Sequence, residues 1–202
     1  VALTLNTPVR MVRHKKNNNY LFLATGLGVY RSVNYGANWT LMNSGLGSDV
    51  NVLSVAASEQ GDYVFAGTEN SMYMSTDNGG SWKNVGNMNV SSVEAMQSGS
   101  SQISWAVTKA SNLVSKHNGT SWSRYLVTDT EGYPFSSECI HRNPHTGTLY
   151  VTGSHNGIAA IAYSTNGGAN FAVLDDTHVP LFSSNSKLLG ITTHPVTGMH
   201  TM

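Results

Sequence analysis

The chain has 202 residues, room for one large domain or two small ones. Lys+Arg and Asp+Glu each number 11, so the formal net charge is zero and only 11% of residues are charged, which excludes nucleic-acid binding through a basic surface. With 40% hydrophobic residues, 20 Gly, one Cys and no apolar run near the ~18 residues of a membrane span, the sequence reads as a folded soluble protein without a disulfide framework or multi-Cys zinc site.

In chain order, Val1–Leu5 reads as an outermost strand without a blade of its own. The first residue is Val, and nothing resembles a signal peptide, so a processed chain or a piece of something longer is expected. From residue 7 the chain repeats. Two short runs rich in Val, Tyr, Phe and Leu, Tyr20–Thr25 and Gly28–Ser32, precede an octapeptide that starts at Ser32 and ends at Trp39. Val52–Ala57, Tyr63–Thr68 and Ser71–Ser75 lead in the same way into Ser75–Trp82. Further copies start at Ser115 and Ser164, so the starts lie 43, 40 and 49 residues apart. The runs are too short for helices. Four strands in about 40 residues is the size of one propeller blade.

The expected architecture is all-β: a β-propeller of four-stranded antiparallel blades at about 7–45, 50–88, 90–127 and 135–176, in one domain over 1–202. A partial fifth blade runs over 187–202, because the turn His194–Gly198 matches Asn143–Gly147 of the fourth unit. Four blades and a fraction point to a fragment of a six- to eight-bladed ring.

The octapeptide has Ser first, Asp or Asn third, Gly fifth and an aromatic eighth. Its residues are Ser32, Asn34, Gly36 and Trp39; Ser75, Asp77, Gly79 and Trp82; Ser115, Gly119 and Trp122, with His117 in the acid's place; and Ser164, Asn166, Gly167 and Phe171. An Asp or Asn oxygen can accept turn N–H groups, Gly takes φ > 0 without a Cβ penalty, and the aromatic anchors the turn. The pattern resembles the Asp-box, or bacterial neuraminidase repeat, of sialidases, sortilin-type receptors, family 74 glucanases and photosystem assembly factors. In those families it is architectural and lies between the third and fourth strands, so the resemblance implies a structural role. Ligands are then expected at the opposite face, where the 2–3 loops and blade linkers emerge.

Two linkers on that face are long and alike. Residues 129–137 and 176–184 share an Asp-Thr start, a Pro-Phe or Pro-Leu-Phe and a Ser-Ser. They make Asp129, Glu131, Tyr133, Asp176 and His178 the candidate ligand-binding residues, with Phe135 and Phe182 read as plugs between blades. No catalytic residue is assigned. Glycoside hydrolysis needs two carboxylates flanking the bond, and the acids on this face, Glu69, Asp129, Glu131 and Asp176, read more simply as solvated loop acids. A sialidase would need several converging arginines. Of five, Arg10 lies nearest the expected motif but lacks the following Pro. Cys139, His141 and His145 lack a fourth ligand, so no metal site is assigned. Gly26 and Gly28 form a strand connection, not a dinucleotide fingerprint, and no cofactor is expected.

Polar, charge-poor repeats of this kind also resemble tandem propeller repeats of bacterial secreted and surface proteins. The function expected is a non-catalytic extracellular or cell-surface propeller that binds glycan or protein partners, or assembles with further blades or copies, with no membrane insertion. Two alternatives stay open: a fragment of a carbohydrate-active propeller enzyme, and a structural component of a surface filament or virion.

Overall fold

The computed structural model describes residues 8–14, 19–58, 62–98, 101–108, 111–129, 131–174, 191–193 and 200–201. Among these there is no helix, and the strands fall into four four-stranded antiparallel sheets with consecutive strands adjacent. Blade one is β1 (Pro8–Arg13), β2 (Leu21–Thr25), β3 (Gly28–Ser32) and β4 (Thr40–Leu41). Blade two is β5 (Val52–Ala57), β6 (Val64–Thr68), β7 (Ser71–Ser75) and β8 (Lys83–Asn87). Blade three is β9 (Ser92–Ser98), β10 (Ser101–Val107), β11 (Leu113–His117) and β12 (Trp122–Leu126). Blade four is β13 (Phe135–Arg142), β14 (Leu149–His155), β15 (Ile158–Ser164) and β16 (Ala172–Leu174). A two-stranded sheet, β17 (Thr192–Thr193) and β18 (His200–Thr201), stands where the partial fifth blade was expected. The Val1–Leu5 strand lies outside the described residues.

Burial follows strand order within a blade. In blade two all five residues of β6 are buried, whereas β8 shows none buried. The fourth strand of blade two is polar, with Lys83, Asn84 and Asn87, and this suits an edge that must not recruit another sheet. The first strands of blades one, two and four bulge. The register shifts between Pro8 and Arg10, between Val52 and Ser54, and between Ser137 and Cys139. Each extra residue sharpens local twist near the start of the strand, close to the linker that delivers it.

The chain divides into two compact units, residues 1–104 with 117–121 and residues 105–116 with 122–202. In the first, Phe22, Val29, Leu46, Val55, Tyr73 and Trp82 form one apolar cluster shared by blades one and two. In the second, Trp105, Phe135, Ile140, Leu149 and Val151 are buried. Two second-strand glycines are fixed by close packing. A Cβ on Gly153 would lie 1.9 Å from the Ser136 carbonyl oxygen, and one on Gly67 would lie 2.3 Å from Val90 Cγ1. No helix among the described residues is long and apolar enough to cross a membrane.

Candidate functional site

The octapeptide links the third and fourth strands of each blade. In blade two, Ser75 Oγ donates to Asp77 Oδ1 at 2.7 Å and accepts the Gly79 N–H at 2.8 Å. Asp77 Oδ1 accepts from Ser81 N at 2.9 Å and Oδ2 from Ser81 Oγ at 2.8 Å. Burial acts to raise the Asp77 pKa, but the bonds from Ser75, Ser81 and Gly80 outweigh it and hold the carboxyl below its ordinary value. The neutral copies draw the same figure. Ser32 Oγ donates to Asn34 Oδ1 (3.0 Å) and accepts from Gly36 N (2.8 Å), and Asn38 N donates to Asn34 Oδ1 (2.9 Å). In blade four, Ser164 Oγ donates to Asn166 Oδ1 (2.9 Å), Gly168 N donates to Ser164 Oγ (2.9 Å), and Asn170 N donates to Asn166 Oδ1 (3.0 Å).

This geometry corrects one expected residue. The fifth-position glycine of the fourth copy is Gly168, at φ 90°, in line with Gly36 at 89° and Gly79 at 77°. Gly167, at φ 69°, fills the fourth position, where Tyr35 and Asn78 stand at 56°. Two adjacent glycines hide the register from a sequence reading; the hydrogen bond to Ser164 reveals it. Blade three is wired differently. Gly119 N donates to His117 Nδ1 at 3.3 Å, and Asn118 Oδ1 gathers Thr120 N (3.1 Å) and Ser121 N (2.9 Å). Burial holds the His117 pKa below its ordinary value, which keeps the ring neutral and Nδ1 an acceptor. The eighth-position side chains differ in depth: Trp82 is 5% exposed, while Trp39, Trp122 and Phe171 are half-buried.

Two of these turns also dock on the blade before them. Arg31 Nη1 of β3 donates to the Asn78 carbonyl at 2.8 Å, Gly79 backs onto the Phe22 ring, and Trp82 Nε1 donates to the Met42 carbonyl at 2.7 Å. In blade four the Gly167 carbonyl accepts from both Trp105 Nε1 and Lys116 Nζ, each at 3.1 Å, and Gly168 backs onto the Trp105 indole. Arg31 and Lys116 went unassigned in the sequence. Their only signal is a cation immediately beside the first Ser of an octapeptide.

At the other end of the blades, the linker between blades three and four is a closed loop. Asp129 Oδ1 accepts from Glu131 N and Tyr133 N, both at 2.9 Å, and the Asp129 N–H donates to the Tyr133 carbonyl at 3.1 Å. The second carboxylate oxygen lies 3.0 Å from Nε2 of His155, a buried residue at the end of β14. Asp129 therefore shapes the loop, and both its oxygens are engaged. Glu131 and Tyr133 remain outward, Tyr133 being 52% exposed. Phe135 is fully buried, as a plug should be. Asp176, His178 and Phe182 lie outside the described residues. His155 was not anticipated, because nothing in its own strand marks it as the partner of an acid 26 residues away.

Arg10 faces neighbouring first strands. Its Nη1 donates to Ser92 Oγ of β9 at 2.5 Å and lies 3.5 Å from Ser54 Oγ of β5, and its Nη2 sits 3.8 Å from Glu94 Oε1. This guanidinium ties three blades together. Cys139 is half-buried with its Sγ 3.7 Å from the Ile140 carbonyl oxygen, and among the described residues no three His, Cys, Asp or Glu side chains are grouped to hold a metal.

The structure is similar to that of an ancestral GH74 enzyme, at 23% identity and TM-score 0.64, over 86% of this chain and 26% of that one. It is similar to YCF48 from Cyanidioschyzon merolae at 16% identity and TM-score 0.64, over 95% of this chain and 62% of that one. A YCF48 bound to D1 peptide matches at 17% identity and TM-score 0.60, over 96% and 62%. The chain thus spans less than two thirds of each of these proteins. No curated protein matches the sequence. The DUF6242 beta propeller domain matches residues 4–176, and the chain belongs to that family.

Proposed function

We propose that this propeller is a non-catalytic, extracellular binding or assembly module that meets a protein partner at its linker face. The observation that carries the reading is the set of hydrogen bonds centred on Asp129. The Asp129 carboxylate accepts from the Glu131 and Tyr133 N–H groups and meets His155, and this hydrogen-bonded backbone carries the outward Tyr133 and Glu131 side chains. A half-exposed Tyr on a hydrogen-bonded backbone beside a carboxylate is the composition of a recognition hot spot. The YCF48 bound to D1 peptide supports a peptide-like partner. The same reading takes the four octapeptide turns as Asp-boxes, purely architectural. Its test is capture of peptide and glycan libraries by the full chain. Tyr133→Ala and Glu131→Gln should each weaken a captured peptide about tenfold or more with unchanged thermal midpoint, and equal binding by both variants would overturn the reading.

The likeness to the GH74 enzyme favours a second reading, a fragment of a carbohydrate-active propeller enzyme. Release of sugar from β-glucans by the full-length gene product, abolished by Asp176→Asn, would favour it. Asp129 is the weaker candidate because its oxygens are engaged.

A further inference from the structure

Asn-Gly pairs stand at 78–79, 118–119, 156–157 and 166–167. Such a pair is open to intramolecular attack, because glycine has no Cβ to keep its backbone nitrogen away from the preceding side-chain amide. The attack needs two freedoms from the fold. The glycine nitrogen must be able to turn inward, and the Asn carboxamide must be able to rotate onto it.

Three of the pairs lie in octapeptide turns, where hydrogen bonds remove one freedom or both. The Gly79 N–H is held by Ser75 Oγ at 2.8 Å, and Gly79 is buried. The Gly119 N–H is held by His117 Nδ1 at 3.3 Å, while Asn118 Oδ1 gathers the N–H groups of Thr120 and Ser121 at 3.1 and 2.9 Å. Asn166 Oδ1 is held by Ser164 Oγ at 2.9 Å and by the Asn170 N–H at 3.0 Å. The fourth pair is built otherwise. His155 pairs with Ile158 across a two-residue turn of type I′, with Asn156 at φ 50° and Gly157 at φ 77°. Both residues are exposed, and no atom lies within 4 Å of where a Gly157 Cβ would stand. Neither the Gly157 N–H nor Asn156 Oδ1 enters a hydrogen bond among the described residues, and Asn156 Nδ2 lies 3.5 Å from His155 Nε2.

We propose that Asn156 is a site of spontaneous deamidation, and that the octapeptide hydrogen bonds protect the other three pairs. The Gly157 nitrogen gives its proton to solvent base and bonds to Asn156 Cγ. The Cγ–Nδ2 bond breaks, and Nδ2 takes a proton from water and leaves as ammonia. Water then opens the resulting succinimide: cleavage at Cγ gives Asp, and cleavage at the backbone carbonyl gives isoaspartate. The sum is amide plus water to acid plus ammonia, with no change of oxidation state. The new carboxylate stands beside the ring of His155, which already meets Asp129 at 3.0 Å, so this corner of blade four gains a second acid as the protein ages.

The test incubates the full chain in mildly alkaline buffer with and without urea. Mass spectrometry of the peptides follows each Asn-Gly pair, and an isoaspartyl methyltransferase assay reports the rearranged product. In the folded chain Asn156 should convert about tenfold or more faster than Asn78, Asn118 and Asn166, since two hydrogen bonds lower the released population of a turn by that factor. In urea the four rates should become comparable. Conversion of Asn156 no faster than the other three in the folded chain would overturn the proposal. So would an unchanged order of rates in urea, since the preference would then come from neighbouring sequence and not from the fold.

Discussion

Arg31 of blade one donates to the carbonyl of Asn78, 47 residues further on, at 2.8 Å, and this bond joins two blades at the point where the second one turns. The Arg31 guanidinium also lies 5.8 Å from the Tyr20 ring centroid, a cation–π contact that holds it in place. Arg31→Met should cost about 1–2 kcal/mol. Arg31→Lys should recover part of the loss, since Lys116 makes the equivalent bond with a single ammonium. Urea unfolding of the three proteins measures both.

Asp77 can be separated into shape and charge. Asn34 and Asn166 show that a neutral amide draws the same figure, so Asp77→Asn should stay within about 0.5 kcal/mol of the parent at pH 7. Asp77→Ala removes the acceptor altogether and should cost about 1 kcal/mol, toward the low end because the turn is exposed. The carboxyl sits below its ordinary pKa in the folded state, so its share of stability is full above about pH 4 and fades as pH falls through the folded value. Asp77→Asn should lack that acid limb in a pH series of thermal midpoints.

His117 adds a second acid-side decline, at higher pH than that of Asp77. Its pKa is lowered on folding, so the unfolded chain takes up the proton first, and stability is whole above the ordinary histidine value of about 6.5 and declines as pH falls below it. Protonation would also turn Nδ1 from an acceptor of the Gly119 N–H into a donor facing a donor. His117→Asn should flatten the decline between about pH 6.5 and 5, measured against the parent by chemical denaturation.

Two glycines of one hairpin should respond very differently to alanine. Gly153→Ala drives a methyl into the Ser136 carbonyl, rigid backbone in the paired strand, and should cost at least about 3 kcal/mol or prevent folding. At Gly147 no atom lies within 4 Å of the new methyl, so only the φ of 75° is penalised, at about 1 kcal/mol. Expression yield and thermal midpoints of the pair distinguish steric from conformational cost.

The blade was legible because its signals are local. Gly28–Ser32, Val52–Ala57 and Ser71–Ser75 appear with the ends read from their composition, since each is a short β-branched and aromatic run closed by turn residues. The octapeptide was legible for the same reason, except where the doubled glycine blurred its register. What stayed hidden depends on the approach of distant segments. Arg31, Lys116 and His155 act on groups 26 to 51 residues away, and no pattern within their own strands announces the partner. The linker reading was half legible: Tyr133 is outward and Phe135 buried as expected, but the Asp129 carboxylate is consumed in closing its own loop.

The turns of blades one and four are closed by uncharged Ser and Asn side chains, and blade three does the same work with a neutral imidazole and an amide. Hydrogen bonds of this kind are indifferent to ionic strength, whereas long-range attraction between exposed charges is largely screened once the Debye length shrinks to about 3 Å in 1 M salt. A propeller stitched in this way should hold its unfolding midpoint from dilute buffer to brine, and it can share a surface with densely charged polymers without being drawn to them.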